Sequence, residues 1–209
     1  MSRGKGAHLT RMDEILANLA ETGSRPRLLL HSCCGPCSTA VIETLARRFE
    51  ITVHYHNPNI DTREEYERRA SAQRDALGLL GQQGPIGYIE EAYLPEEFLE
   101  RAAPFACEPE GGLRCGVCIS LRLEKTARRA AEGGFPWFCS TLTVSPHKDA
   151  DLVNSIGSTL AGLHPPLAWL PSDFKKRDGY RRSIALSAQF GLYRQDYCGC
   201  PWSARGREE

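Results

Sequence analysis

Seven of the nine cysteines in the chain fall into three short motifs: Cys33-Cys34-Gly35-Pro36-Cys37, Cys115-Gly116-Val117-Cys118 and Cys198-Gly199-Cys200. Thiolates ligate iron and zinc, and short spacings let one loop present several sulfurs to a single centre. Seven thiols exceed the four that one tetrahedral zinc or one 4Fe-4S cluster takes. The surplus therefore faces a substrate, cycles redox, or holds a second metal. A lone Cys-x-x-Cys serves equally well as a zinc clamp, but Cys-Cys-x-x-Cys directly after an apolar strand is a poor place for a mere staple. The three motifs together read as a redox centre, an iron–sulfur cluster foremost. Cys139, between Phe138 and Ser140 in a strand, reads as a buried small hydrophobe. Cys107, in a proline-rich stretch, is left open.

The elements that must position these thiols alternate along the chain. Arg27–Ser32 and Ile51–Asn57 read as strands, and Ser38–Phe49 between them places Val41, Ile42, Leu45 and Phe49 on one helical face. Asp61 with Glu64 resembles a capping box opening a helix that runs towards Leu80. Ile86–Ile89, Phe138–Leu142 and Leu167–Leu170 are further strand candidates, separated by helices at about 119–132 and 149–161. A last helix, Ser183–Phe190, stops at Gly191 and leaves an irregular tail that carries the third motif. This rhythm predicts an α/β fold, a Rossmann-like, mostly parallel sheet of about five strands with helices on both faces. Residues 1–24 form an N-terminal helical or flexible extension, and residues 25–209 a single catalytic domain. Within it, residues 94–114 break the rhythm with prolines and paired glycines, as a small insert.

The bulk numbers narrow the field. A chain of 209 residues with 41% hydrophobic and 25% charged residues is ordinary globular usage, and no apolar run approaches the roughly 20 residues of a membrane span. Near the N-terminus Arg3, Lys5, His8 and Arg11 accompany no signal-like apolar stretch, so a cytoplasmic, reducing location is expected, where disulfides are not. Lys and Arg total 26 against 26 Asp and Glu, so a nucleic-acid partner needs a local basic patch. Lys175, Lys176, Arg177, Arg181 and Arg182 crowd around Tyr180 and form one. No GxGxxG follows the first strand and no P-loop occurs, so electrons must come from an outside donor.

Five ordered stretches, HSCCGPCSTAVIE, HNPNID with EYERR behind it, EPEGGLRCGVC with RLEKTA behind it, STLTVSPHK and DFKKRDGYRRSIALSAQFGLYRQDYCGC, together resemble the cobalamin-independent epoxyqueuosine reductases over residues 27–202. The resemblance implies reduction of epoxyqueuosine to queuosine at the wobble position of certain tRNAs. It implies a 4Fe-4S cluster with a second metal ion, iron foremost, close by. Carried over, the ligands fall on Cys33, Cys34, Cys37, Cys115, Cys118, Cys198 and Cys200, four for the cluster and three for the other ion. The position of Cys37 is an aspartate in some members, so a thiol here makes the second site softer. The family's α/β appearance suggests strand order 3-2-1-4-5. A ferredoxin- or flavodoxin-type protein is the expected donor.

Other candidates follow from position. Asp196 and Tyr197, beside the third motif, are possible proton donors. Asn57 and Asn59 end the second strand and border the same crevice as Cys33, where they could contact a splayed wobble base, although Asn also serves ordinary turns. His147 follows the fourth strand in the same way. A tRNA thiolation enzyme is the competing enzyme reading, but such enzymes usually carry a Ser-Gly-Gly-type loop where this chain has Ser32 to Cys37. A zinc-stabilised RNA-binding module is the non-enzymatic one.

Overall fold

A computed structural model describes residues 6–81 and 84–205. Five parallel strands form one sheet in the order β3-β2-β1-β4-β5. They are β1 (Arg27–Ser32), β2 (Glu50–Tyr55), β3 (Gly87–Glu90), β4 (Trp137–Ser140) and β5 (Ala168–Trp169). Eight α-helices accompany them among the described residues: α1 (Ala7–Glu21), α2 (Gly35–Leu45), α3 (Arg63–Leu80), α4 (Pro95–Ala102), α5 (Leu113–Glu132), α6 (Ala150–Leu163), α7 (Gly179–Gln189) and α8 (Pro201–Arg205). Strand order and fold class are as the sequence suggested. Residues 1–5 of the expected extension lie outside the described residues.

Strand β1 explains the layering. Its run Leu28-Leu29-Leu30 has no exposed surface, as expected of a central parallel strand covered on both faces. Alternate side chains go to opposite sides: Leu28 and Leu30 pack with Met12, Val41, Ile42, Leu45, Leu77 and Leu80 from α1, α2 and α3, whereas Leu29 packs with Ile119, Leu123, Ala127 and Val153 from α5 and α6. Two apolar cores therefore sandwich the sheet. No helix among the described residues is long and apolar enough to cross a membrane.

Local chemistry sets the ends. The cap of α3 is Thr62, whose hydroxyl accepts the Glu65 amide at 3.2 Å, one residue later than the Asp61–Glu64 box read from sequence. Thr needs only to reach the third amide on, and Thr62-x-x-Glu65 satisfies the same pattern. The expected insert contains α4 and a 3-10 turn over Ala103–Phe105, and α5 begins at Leu113, ahead of the expected 119. Gly191 ends α7 at φ 62°, and the tail after it is irregular up to α8.

Candidate functional site

Strand β1 is where the winding reverses, with β2 on one side and β4 on the other. In open α/β sheets the crevice beyond such strand ends binds ligands. Cys33 stands in it, its amide held by Thr141 Oγ1 at 3.2 Å from the segment after β4. Ser32 fixes the loop from below: its hydroxyl lies 2.6 Å from Gln73 Oε1 and 3.2 Å from the Cys34 carbonyl. Cys34 caps α2 and Pro36 occupies its first turn, where a missing N–H costs nothing. The sulfurs of Cys33, Cys34 and Cys37 all lie within 4.8 Å of one another. Crowding splits their acidity. Hydrogen bonds from Cys34 and Cys37 hold Cys33 well below the usual thiol range, and the Cys33 thiolate pushes Cys34 and Cys37 up. Three crowded sulfurs that cannot all ionise alone are a donor set that a soft cation completes.

Cys115 and Cys118 come from the first turns of α5, and Cys198 and Cys200 from the tail. All four line one small cavity with Phe98, Arg114, Ile119, Arg122 and Lys148. Among the described residues only the first group brings three donor atoms within 4.8 Å. The wider second group suits a cluster, whose irons hold thiolates further apart than one ion does. Cys198 is lowered to about 5, first by a hydrogen bond from Cys200 and then by Lys148 and Arg122. Lys148 Nζ lies 3.3 Å from the Cys198 sulfur. Burial pushes Cys118 up.

Buried guanidinium groups fasten this arrangement. Arg69 donates to the carbonyls of Cys198 at 3.1 Å and Tyr197 at 3.4 Å, and the Asp61 amide donates to the Gly199 carbonyl at 2.8 Å. Gly199 is required there: its φ is 106°, and a Cβ would come 2.7 Å from the Arg69 guanidinium. Arg114 gathers the insert by donating to the carbonyls of Phe105, Ala106 and Glu108. Arg122 reaches Asn57 Oδ1 at 2.5 Å and the Cys118 sulfur at 3.9 Å. Sequence reasoning missed these cations. A signal existed: Arg114, Cys118, Arg122 and Thr126 recur every four residues on α5, a polar stripe on a face that is buried.

A larger cavity of about 960 Å³ opens over both thiol groups, and Cys198, Arg114, Arg122 and Lys148 line both spaces. Asn57, Asn59, His147, Tyr180, Asp196 and Tyr197 line it as well. Asn57 is occupied by the protein itself, since its amide also donates to the Ser32 carbonyl at 3.0 Å. His147 is exposed at the rim and Asp196 is exposed, while Tyr197 is half-buried. The Tyr197 hydroxyl donates to Asp61 at 3.0 Å, and burial, followed by that carboxylate, raises it to about 12.

The basic cluster is placed differently. Lys175, Lys176, Arg177, Arg181 and Arg182 are absent from the lining, which takes only Tyr180 from this group, with Arg194 over its ring at 5.4 Å. Arg177 pairs with Asp13 at 2.6 Å, Arg182 with Glu43 at 2.6 Å, Lys175 with Asp173 at 3.1 Å and Arg181 with Asp178 at 3.5 Å. Cys139 is fully buried, its thiol pushed up to about 12 by burial, which agrees with the small-hydrophobe reading. Cys107 is exposed.

Fold and site define a doubly wound α/β protein with a metal-competent thiol centre at the switch point of its sheet. The family model described as epoxyqueuosine reductase QueH matches residues 28–206. Proteins named epoxyqueuosine reductase QueH are similar along most of their length. The Streptococcus pyogenes serotype M1 protein is 41% identical over 183 residues, 87% of this chain and 71% of that one. The Staphylococcus epidermidis protein is 40% identical over 195 residues, covering 91% and 82%, and the Thermotoga maritima protein 31% over 185 residues, covering 87% and 92%. The chain belongs to the epoxyqueuosine reductase QueH family, a family of oxidoreductases.

Proposed function

We propose that the protein is an iron–sulfur-dependent epoxyqueuosine reductase acting on the wobble nucleotide of tRNA in the cytoplasm. The observation that carries this is the division of seven thiols into groups of four and three at two adjoining cavities that share Cys198, Arg114, Arg122 and Lys148. Cys115, Cys118, Cys198 and Cys200 would hold a 4Fe-4S cluster, and Cys33, Cys34 and Cys37 a single iron. Removing an epoxide oxygen consumes two electrons and two protons and yields an alkene and water. When bound, the cluster supplies electrons singly and the neighbouring ion supplies Lewis acidity and a second redox site. Electrons enter from a ferredoxin- or flavodoxin-type donor.

The chain's own groups do the rest. Arg122 and Lys148 offset the charge of the thiolates beside them. Tyr197 keeps its phenolic proton across neutral pH at the cavity wall, and Asp196 is exposed on the same wall as a candidate acid. Tyr180, backed by Arg194, offers a ring on which an unstacked base can rest. Lys176 and Arg181 contribute to phosphate attraction, while Arg177 and Arg182 are bound up in ion pairs with other helices.

The test is anaerobic incubation of the iron-loaded protein with epoxyqueuosine-containing tRNA and dithionite, followed by nucleoside mass analysis. Queuosine should appear. Cys118→Ala should lose most iron, sulfide and turnover, and Cys139→Ala should keep all three. A colourless protein carrying one zinc and producing no queuosine would overturn the proposal.

A further inference from the structure

Two side-chain oxygens in the large cavity are buried and satisfied by no group among the described residues: Asn59 Oδ1 and Gln195 Oε1. Asn59 is 2% exposed, on the loop that follows β2. Its neighbour Asn57 provides the contrast, with both ends of its amide bonded. Gln195 precedes the third cysteine motif and lines the same cavity wall as Cys34. A buried acceptor without a donor carries its full desolvation penalty. Water can fill the cavity in the resting protein, but a ligand that displaces it must replace its hydrogen bonds or lose affinity.

We infer that Asn59 and Gln195 form an acceptor pair that receives hydroxyl or ammonium donors of the ligand beside the reacting carbon. The inference rests on the reading of the protein as an epoxyqueuosine reductase. That modified base carries hydroxyls on its epoxide-bearing ring and a secondary ammonium linking the ring to the base. All are donors. Unmodified guanosine has none of these groups and leaves both oxygens unanswered, so the pair discriminates the modified nucleotide from guanosine. Sites built to hydrogen-bond a ligand donor reject the analogue that lacks it, because their own polar groups are then left unpaired.

The experiment compares dissociation constants of the iron-loaded protein for one tRNA carrying epoxyqueuosine and for the same tRNA carrying guanosine at the wobble position. The wild type should prefer the modified tRNA by about tenfold or more. Asn59→Leu and Gln195→Met should abolish most of that preference while affinity for the guanosine tRNA, iron content and thermal midpoint stay near wild type. Asn59→Asp, which keeps an acceptor, should retain it. An unchanged preference in both apolar variants overturns the inference, as does an Asn59→Asp variant as impaired as Asn59→Leu. If Gln195→Met loses iron, the Asn59 series decides alone. Turnover is read separately: a wild type that makes queuosine but binds both tRNAs equally sinks this inference and leaves the activity standing. A wild type that discriminates but makes no queuosine does the reverse.

Discussion

Arg122 holds its charge at 3% exposure, where an unpaired ion is strongly disfavoured. Its guanidinium lies between Asn57 and Cys118 and acts electrostatically on Cys33 and Cys198, one thiol from each group. Replacing it by methionine removes a positive charge that favours the more negative, reduced state of a cluster. Arg122→Met should therefore shift the reduction potential to more negative values in an anaerobic redox titration, and Arg122→Lys should recover part of the shift. An unmoved potential with full iron content would remove Arg122 from this role. At this scale the cysteines were legible because thiols in short spacings have few other uses. The cations were not, since a lone arginine in a helix is ordinarily a solvated residue. His147 and Lys148 show the difficulty: they are adjacent in sequence, yet the histidine is exposed at the rim and the lysine meets Cys198.

Helix α2 delivers two thiols and packs closely against α3. At Gly35 a Cβ would fall 2.3 Å from the carbonyl oxygen of Ala72. Alanine gains up to about 1 kcal/mol in helix propensity, but forcing it against a backbone oxygen costs about 1–3 kcal/mol. The clash wins, so Gly35→Ala should lower the unfolding midpoint and loosen any metal that its neighbours Cys34 and Cys37 would hold on the proposed reading, measured by calorimetry and iron content. The alternation of helix and strand was readable because β1, α2 and α3 carry clear apolar periods. The 94–114 stretch was less so: α4 buries only Phe98 and Ala102, too short a pattern to distinguish from a prolyl turn. The ion pairs of the basic cluster were not readable because the partners Asp13 and Glu43 lie far away in sequence on α1 and α2.

Across the whole molecule, buried histidines set the acid limit. Burial lowers His54 to about 4 and His56 to about 3; both are near 6.5 when unfolded. Below about pH 6.5 the unfolded chain binds protons that the folded chain refuses, so stability falls as pH drops towards 4 and is full above about 7. The double variant His54→Gln, His56→Gln should flatten the slope of thermal midpoint against pH between about 7 and 5, whatever its effect on the midpoint itself. A slope equal to wild type would assign acid sensitivity elsewhere.

The order of the motifs along the chain also governs how the centre comes into being. Cys33, Cys34 and Cys37 can meet as soon as β1, α2 and their neighbours have left the ribosome. Cys115 and Cys118 must wait for Cys198 and Cys200, which Arg69 and Asp61 then pull onto the sheet. A nascent chain can thus gather the three-thiol group early but cannot complete the four-thiol group until the tail has been translated. On the proposed reading, cluster delivery would follow synthesis of the tail, and until then Cys115 and Cys118 wait without their partners.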